Sequence, residues 1–174
     1  MNPLRWSFRT LMLVGGVACF ALIGFAIYSQ LQWGLQPCPL CIFQRIAFAA
    51  LGLVLLIAGV HAPKGQGGRR VYGVLGLAAA AVGIGIAGRH VWLQMHPPGF
   101  VSCGAPFAFM RQTMDTPTLI QKVLTGSGDC GTIDWTLLGL SMPAWSLLWF
   151  VLLGAVAVYA AWRPQRNTRS RSRN

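Results

Sequence analysis

Charge is scarce in this 174-residue chain. Only 10% of the residues are charged, and only three, Asp115, Asp129 and Asp134, are acidic. With 55% hydrophobic residues and a mean hydropathy of +0.56, that scarcity excludes an ordinary soluble domain. No dinucleotide-binding glycine fingerprint in a strand–turn–helix context appears, which argues against a nicotinamide cofactor. Haem attachment through C-x-x-C-H fails because Ile42, not histidine, follows Cys41. A structural zinc knuckle lacks its second C-x-x-C, and no histidine lies near Cys38 and Cys41 in sequence. No metal is therefore expected.

What is abundant is apolar sequence. Four stretches are long enough to cross a bilayer core, which needs roughly 20 helical residues. They are Thr10–Tyr28, Cys41–Val60, Val71–Gly88 with its helix running to about residue 90, and Pro143–Trp162. Only the second carries a charge, Arg45 in its first turn. In lipid each must be a helix, because only a helix satisfies its own backbone polar groups. Ala18-Cys19 is similar to a lipoprotein cleavage site. Gly16, however, stands where a branched apolar residue is wanted, and the apolar run continues to Ile27. The first segment therefore reads as a retained span, and Cys19 as a small buried hydrophobe.

The formal charge of +11 suggests nucleic acid until its distribution is read. Arg5 and Arg9 precede the first span. Lys64, Arg69 and Arg70 fill the link between spans two and three, and Arg163, Arg166, Arg169, Arg171 and Arg173 follow the fourth. If the spans alternate, all of these fall on one side, which the positive-inside rule makes cytoplasmic. The three aspartates lie on the other side. The basic tail is thus a topology anchor able to touch anionic lipid headgroups, and no nucleic-acid role is expected. Trp6, Trp33, Trp92, Trp135, Trp145 and Trp162 fall near span ends, where amphipathic rings favour the interface. The expectation is a single membrane domain over residues 1–174, with both termini cytoplasmic. Its outer loops lie at about residues 30–40 and 91–142.

Small residues four apart, Gly73, Gly76, Ala80 and then Ala79, Gly83 and Ala87, let span three approach its neighbours closely. The fold class is all-α: a four-transmembrane-helix bundle with a long outer loop. In that loop Thr116-Pro117 can cap and start a short amphipathic surface helix carrying Leu119, Ile120, Val123 and Leu124. A loop packed on itself is the alternative.

Four cysteines fall outside the membrane: Cys38 and Cys41 in a C-P-L-C tetrad, then Cys103 and Cys130 in the long loop. Disulfides persist in that compartment. Two stapling disulfides in a purely structural protein are one reading. Against it, the tetrad closes too small a ring to stabilise much, and C-x-x-C pairs are the usual home of reactive thiols. Pairing stays open. Cys103 with Cys130 and Cys38 with Cys130 are both sterically reasonable. Cys41 begins span two, where the unpaired amides and positive dipole end of the helix favour a thiolate. Arg45 lies one turn deeper. An arginine at that depth either snorkels or binds something, and a carbonyl-bearing acceptor in the bilayer, a quinone, is the sharper reading. His90, beside Arg89 at the outer end of span three, can face the same pocket.

These residues carry a family resemblance. C-P-L-C-I-F-Q-R opening span two, R-H-V-W-L-Q after span three, S-G-D-C late in the loop and L-G-L-S-M-P-A-W entering span four resemble the DsbB family. Its members are quinone-dependent bacterial inner-membrane proteins that reoxidise the periplasmic thiol oxidase DsbA. The resemblance implies that reduced DsbA attacks Cys103, and that the released Cys130 attacks Cys38. Cys41, left beside the quinone, then forms a charge-transfer adduct and passes on the electrons. It also implies that Arg45 polarises a quinone oxygen, with His90 close to the ring. The acceptor would be ubiquinone or menaquinone, feeding the respiratory chain. Two departures stand out: Pro39 stiffens the tetrad, and Gln44 replaces an acidic residue that can precede the arginine. A vitamin-K-epoxide-reductase-like bundle performs similar thiol–quinone chemistry, but its C-x-x-C comes late in the chain.

Overall fold

The computed structural model describes residues 6–33, 38–96, 112–113, 115, 117–118 and 136–164. Four long helices dominate it: α1 (Phe8–Trp33), α2 (Pro39–His61), α3 (Gln66–Met95) and α4 (Met142–Trp162). Each is long and apolar enough to cross a membrane, and together they form the four-helix bundle expected. Cys103, Cys130 and nearly all of the expected surface helix lie outside the described residues. Pro117 and Thr118 are helical and exposed.

The helices overrun the apolar stretches. α1 continues through Ser29, Gln30 and Gln32, and α3 starts five residues before Val71 and ends at Met95. The reason is physical. Hydropathy marks where lipid is, whereas the i→i−4 ladder continues until a residue breaks it. At α2 that break is Ala62, whose left-handed φ of 40° closes the helix with an N–H bond to Ala58 O before Pro63.

Packing follows the small-residue stripe. α3 lies along α4, α1 along α2, and α2 also meets α3. Gly73, Gly76, Ala80, Gly83 and Ala87 are all buried. An added Cβ at Gly83 would collide with the Phe150 ring, and one at Gly73 with Ala161. Phe150 in turn stacks on Phe48 of α2, ring centroids 3.8 Å apart and 13° from parallel. Around that stack sit Met12, Cys19, Leu51, Leu55 and Leu153. Cys19 is fully buried and faces Gly52, where an added Cβ would lie 2.9 Å from the cysteine's own. Large apolar side chains such as Val17, Phe25, Ile46, Leu53 and Val82 point outward instead. That inversion is what a lipid-facing surface requires.

Polar contacts gather at the two ends of the bundle. At one end His61 bonds Tyr72 across 2.7 Å, Gln66 reaches Ala161 O, Arg69 stacks on Phe8, and Arg163 donates to Trp6 O. At the other, a two-strand hairpin, β1 (Thr136–Leu137) and β2 (Leu140–Ser141), leads into α4. Its turn residues Leu138 and Gly139 have φ of 54° and 79°, as a tight turn with two positive-φ positions demands. Ser141 Oγ donates to Gln94 Oε1 at 2.6 Å, tying the hairpin to the end of α3.

Candidate thiol redox site

The tetrad is built around a helix start. Cys38 is the N-cap of α2, and Pro39 occupies the first turn, where its missing N–H costs nothing. The Cys38 sulfur accepts the Cys41 amide at 3.4 Å, doing at the cap what a serine or aspartate oxygen usually does. Both sulfurs therefore sit at the positive end of the α2 dipole, which favours negative charge on them. They are 2.9 Å apart as a dithiol pair.

Two neighbouring helices hold the surroundings, on different sides of α2. On the α3 side, His90 is almost fully buried and its Nε2 lies 3.7 Å from Cys38 Sγ. Its other ring nitrogen, Nδ1, is 3.0 Å from the amide nitrogen of the buried Gln44. An amide nitrogen can only donate, so in this arrangement Nδ1 accepts and Nε2 carries the proton toward the sulfur. On the α1 side, Arg45 donates through one guanidinium nitrogen to Gln30 Oε1 at 2.8 Å and through the other to Ala26 O at 3.3 Å. Arg45 is thus half-buried and held against α1 by these two bonds.

The expected site residues Cys38, Cys41, Arg45 and His90 come together in one region at the α2 N-terminus. Cys103 and Cys130 lie outside the described residues. Two polar residues were not predicted as partners. Gln44 stood out only as a replacement for an acid, and Gln30 not at all. The signal for Gln30 was its polarity at the end of an otherwise apolar span.

Chemically, the region offers a dithiol able to exchange with disulfides, a sulfur-facing imidazole and a cation on the adjoining helix face. No carboxylate joins them among the described residues. This is equipment for electron-pair transfer through sulfur rather than for hydrolysis.

Comparison with known proteins agrees in length and kind. The family model for DsbB, described as disulfide bond formation protein DsbB, matches residues 8–160. Disulfide bond formation protein B of Xanthomonas campestris pv. campestris is 56% identical over 164 residues, 94% of this chain and 95% of that protein. The protein of the same name from Xanthomonas euvesicatoria pv. vesicatoria is 54% identical over 169 residues, 97% of this chain and 98% of its own length. The one from Xylella fastidiosa is 50% identical over 167 residues, covering 95% and 96% of the two chains.

Proposed function

The chain belongs to the DsbB family of disulfide bond formation proteins, a multi-pass membrane protein by its four apolar helices, and we propose that it is a thiol:quinone oxidoreductase. In this reading it reoxidises a periplasmic thioredoxin-fold oxidase of the DsbA type and delivers the electrons to membrane quinone. The observation that carries the reading is the dithiol at the α2 N-terminus, with a guanidinium one turn deeper, in a chain of this family.

A thiolate of the reduced partner attacks Cys103 of a Cys103–Cys130 disulfide, and Cys130 leaves as a thiolate. Cys130 then attacks Cys38 of a Cys38–Cys41 disulfide, and Cys41 leaves. The partner's second thiol resolves its mixed disulfide with Cys103 and departs oxidised. The chain now holds a Cys38–Cys130 disulfide and thiols at Cys41 and Cys103. Attack of Cys103 on Cys130 restores the Cys103–Cys130 disulfide and releases Cys38, so the two electrons rest on the Cys38–Cys41 dithiol. Cys41 is the sulfur nearest the acceptor, and its place at the helix N-terminus stabilises it as a leaving group. Quinone, when bound, supplies a two-electron, two-proton sink strong enough to drain an oxidant of the DsbA type, for which the DsbA–quinone relay is itself the reference example.

The donor set suits a carbonyl-bearing acceptor. A guanidinium offers five N–H groups, and among the described residues two contacts, to Gln30 and Ala26, hold it in place. Donors remain on the fork for a carbonyl oxygen. Arg45 therefore serves as binder, Gln30 as its brace, and His90 as a donor at Cys38.

The basic residues at the ends of α1, α3 and α4 support a topology with both termini in the cytoplasm of a bacterial inner membrane and the cysteines in the periplasm. Thiol trapping in cells depleted of quinone tests the reading. Cys38 and Cys41 should accumulate reduced; cysteines that stay fully oxidised would instead mark a protein whose disulfides only staple its loops.

A further inference from the structure

Folding brings a third potential metal ligand to the two sulfurs of the tetrad. Cys38 Sγ, Cys41 Sγ and a ring nitrogen of His90 all lie within 4.8 Å of one another. Cys38 and Cys41 are three residues apart, whereas His90 comes from α3, fifty-two residues from Cys38. We propose that the reduced tetrad, with His90, binds one thiophilic d10 cation of the zinc type, and that this binding holds the protein in its reduced, inactive state.

The donor set selects the ion. Two thiolates and an imidazole suit zinc and its soft relatives, and with no carboxylate among the described residues of the cluster there is nothing for magnesium or calcium. Two thiolates neutralise a divalent charge, so the complex adds no net charge at the α2 N-terminus. Arg45 is turned to Gln30 and Ala26 on α1, away from the α3 side where His90 stands. Three protein ligands leave a fourth position for water, as in zinc sites that stay open.

Geometry is close to what is needed. With metal–sulfur bonds of about 2.3 Å and metal–nitrogen bonds of about 2.0 Å, tetrahedral sites separate sulfur from nitrogen by about 3.5 Å and sulfur from sulfur by about 3.8 Å. Cys38 Sγ and His90 Nε2 already stand 3.7 Å apart. The two sulfurs, at 2.9 Å, must spread by roughly 1 Å, a movement that rotation of a thiol about χ1 supplies.

Gln44 completes the site from behind. A metal-bound histidine donates its other N–H to an outer partner, which fixes the ring. Metal binding requires the imidazole proton to move from Nε2 to Nδ1. Gln44, now 3.0 Å from Nδ1, accepts that proton's hydrogen bond by turning its amide so that the oxygen faces the ring. The balance is simple: one divalent cation enters, two thiol protons leave, and the imidazole stays neutral. No electrons move. A Cys38–Cys41 disulfide has no thiolate to offer, so the site exists in one redox state only. The inhibition, unlike the binding, rests on the relay proposed above, because the metal occupies the sulfurs the relay uses.

Cobalt(II) and zinc(II) titrations of the full-length protein test this, in detergent, freed of quinone, reduced with a phosphine and carrying Cys103→Ser and Cys130→Ser. One cobalt per chain should bind with a thiolate-to-metal absorption band, lost on oxidation and lost in Cys38→Ser. His90→Ala should weaken binding at least tenfold. Absence of the band, its survival in Cys38→Ser, or unchanged affinity in His90→Ala would overturn the site. Should His90→Ala misfold, zinc-edge absorption of the protein with His90 intact decides. Two sulfurs at about 2.3 Å with nitrogen at about 2.0 Å support the site, and a shell of nitrogen and oxygen alone refutes it. Quinone reduction in chelated buffer is measured separately, so loss of the relay and loss of the metal site give different results.

Discussion

At the scale of single residues, Arg45 is where the proposed recognition of the acceptor can be told apart from the thiol exchanges. Its guanidinium is braced by Gln30 and Ala26 O, and a charged hydrogen bond to a quinone oxygen would contribute about 1.5–3 kcal/mol. Arg45→Ala should therefore raise the apparent KM for quinone by roughly ten- to a hundredfold. The rate of the first exchange at Cys103 should change by less than about threefold, since that cysteine reacts in a different segment. Stopped-flow mixing with reduced partner, with and without quinone, reads both steps. Equal losses would make Arg45 a folding residue only. Proximity of Cys41 to a helix start and of Arg45 to Cys41 was legible in the sequence, because one helical turn fixes it. That Arg45 turns to α1 while Gln44 turns to His90 was not. Those partners depend on how α2 is rotated against its neighbours, and apolar sequence on every side of a span leaves that rotation unmarked.

Among the elements, α3 carries the sharpest test of packing. Gly83 meets the Phe150 ring directly, whereas Gly85, two residues on, has nothing within 4 Å of where a Cβ would be. Gly83→Ala should destabilise the bundle by about 1–3 kcal/mol through overpacking. Gly85→Ala should be neutral or stabilising by up to about 1 kcal/mol, as alanine is the better helix former. Thermal unfolding in one detergent, with both variants side by side, distinguishes them, and equal behaviour would mean that α3 does not pack on α4 by this face. The stripe itself could be read from spacing, since small residues at helical intervals have few other uses in lipid. The hairpin between Thr136 and Ser141 could not. Its strands are two residues each, too short for alternation to show, and its turn places Leu138 rather than asparagine or glycine at a positive φ. The helices also run past the apolar stretches that mark the spans, because Ser29, Gln30, Arg69 and Arg70 are polar yet still helical.

For the whole molecule, charge and chemistry divide between the two ends of the bundle. One end gathers Arg69, Arg163, His61 and Tyr72, and the other gathers Cys38, Cys41, Arg45 and His90. That division follows from four alternating spans and was readable from where the arginines fall. In the proposed relay, exchange would start outside the bilayer and finish beside it, with Cys41 as the sulfur nearest the acceptor. The most direct test supplies purified full-length protein with reduced DsbA-type substrate and a short-chain quinone, and counts thiols oxidised against quinone reduced. The account predicts one quinone reduced for each two thiols oxidised, sustained over many turnovers, and none in Cys41→Ser. Undiminished quinone reduction by Cys41→Ser would contradict it.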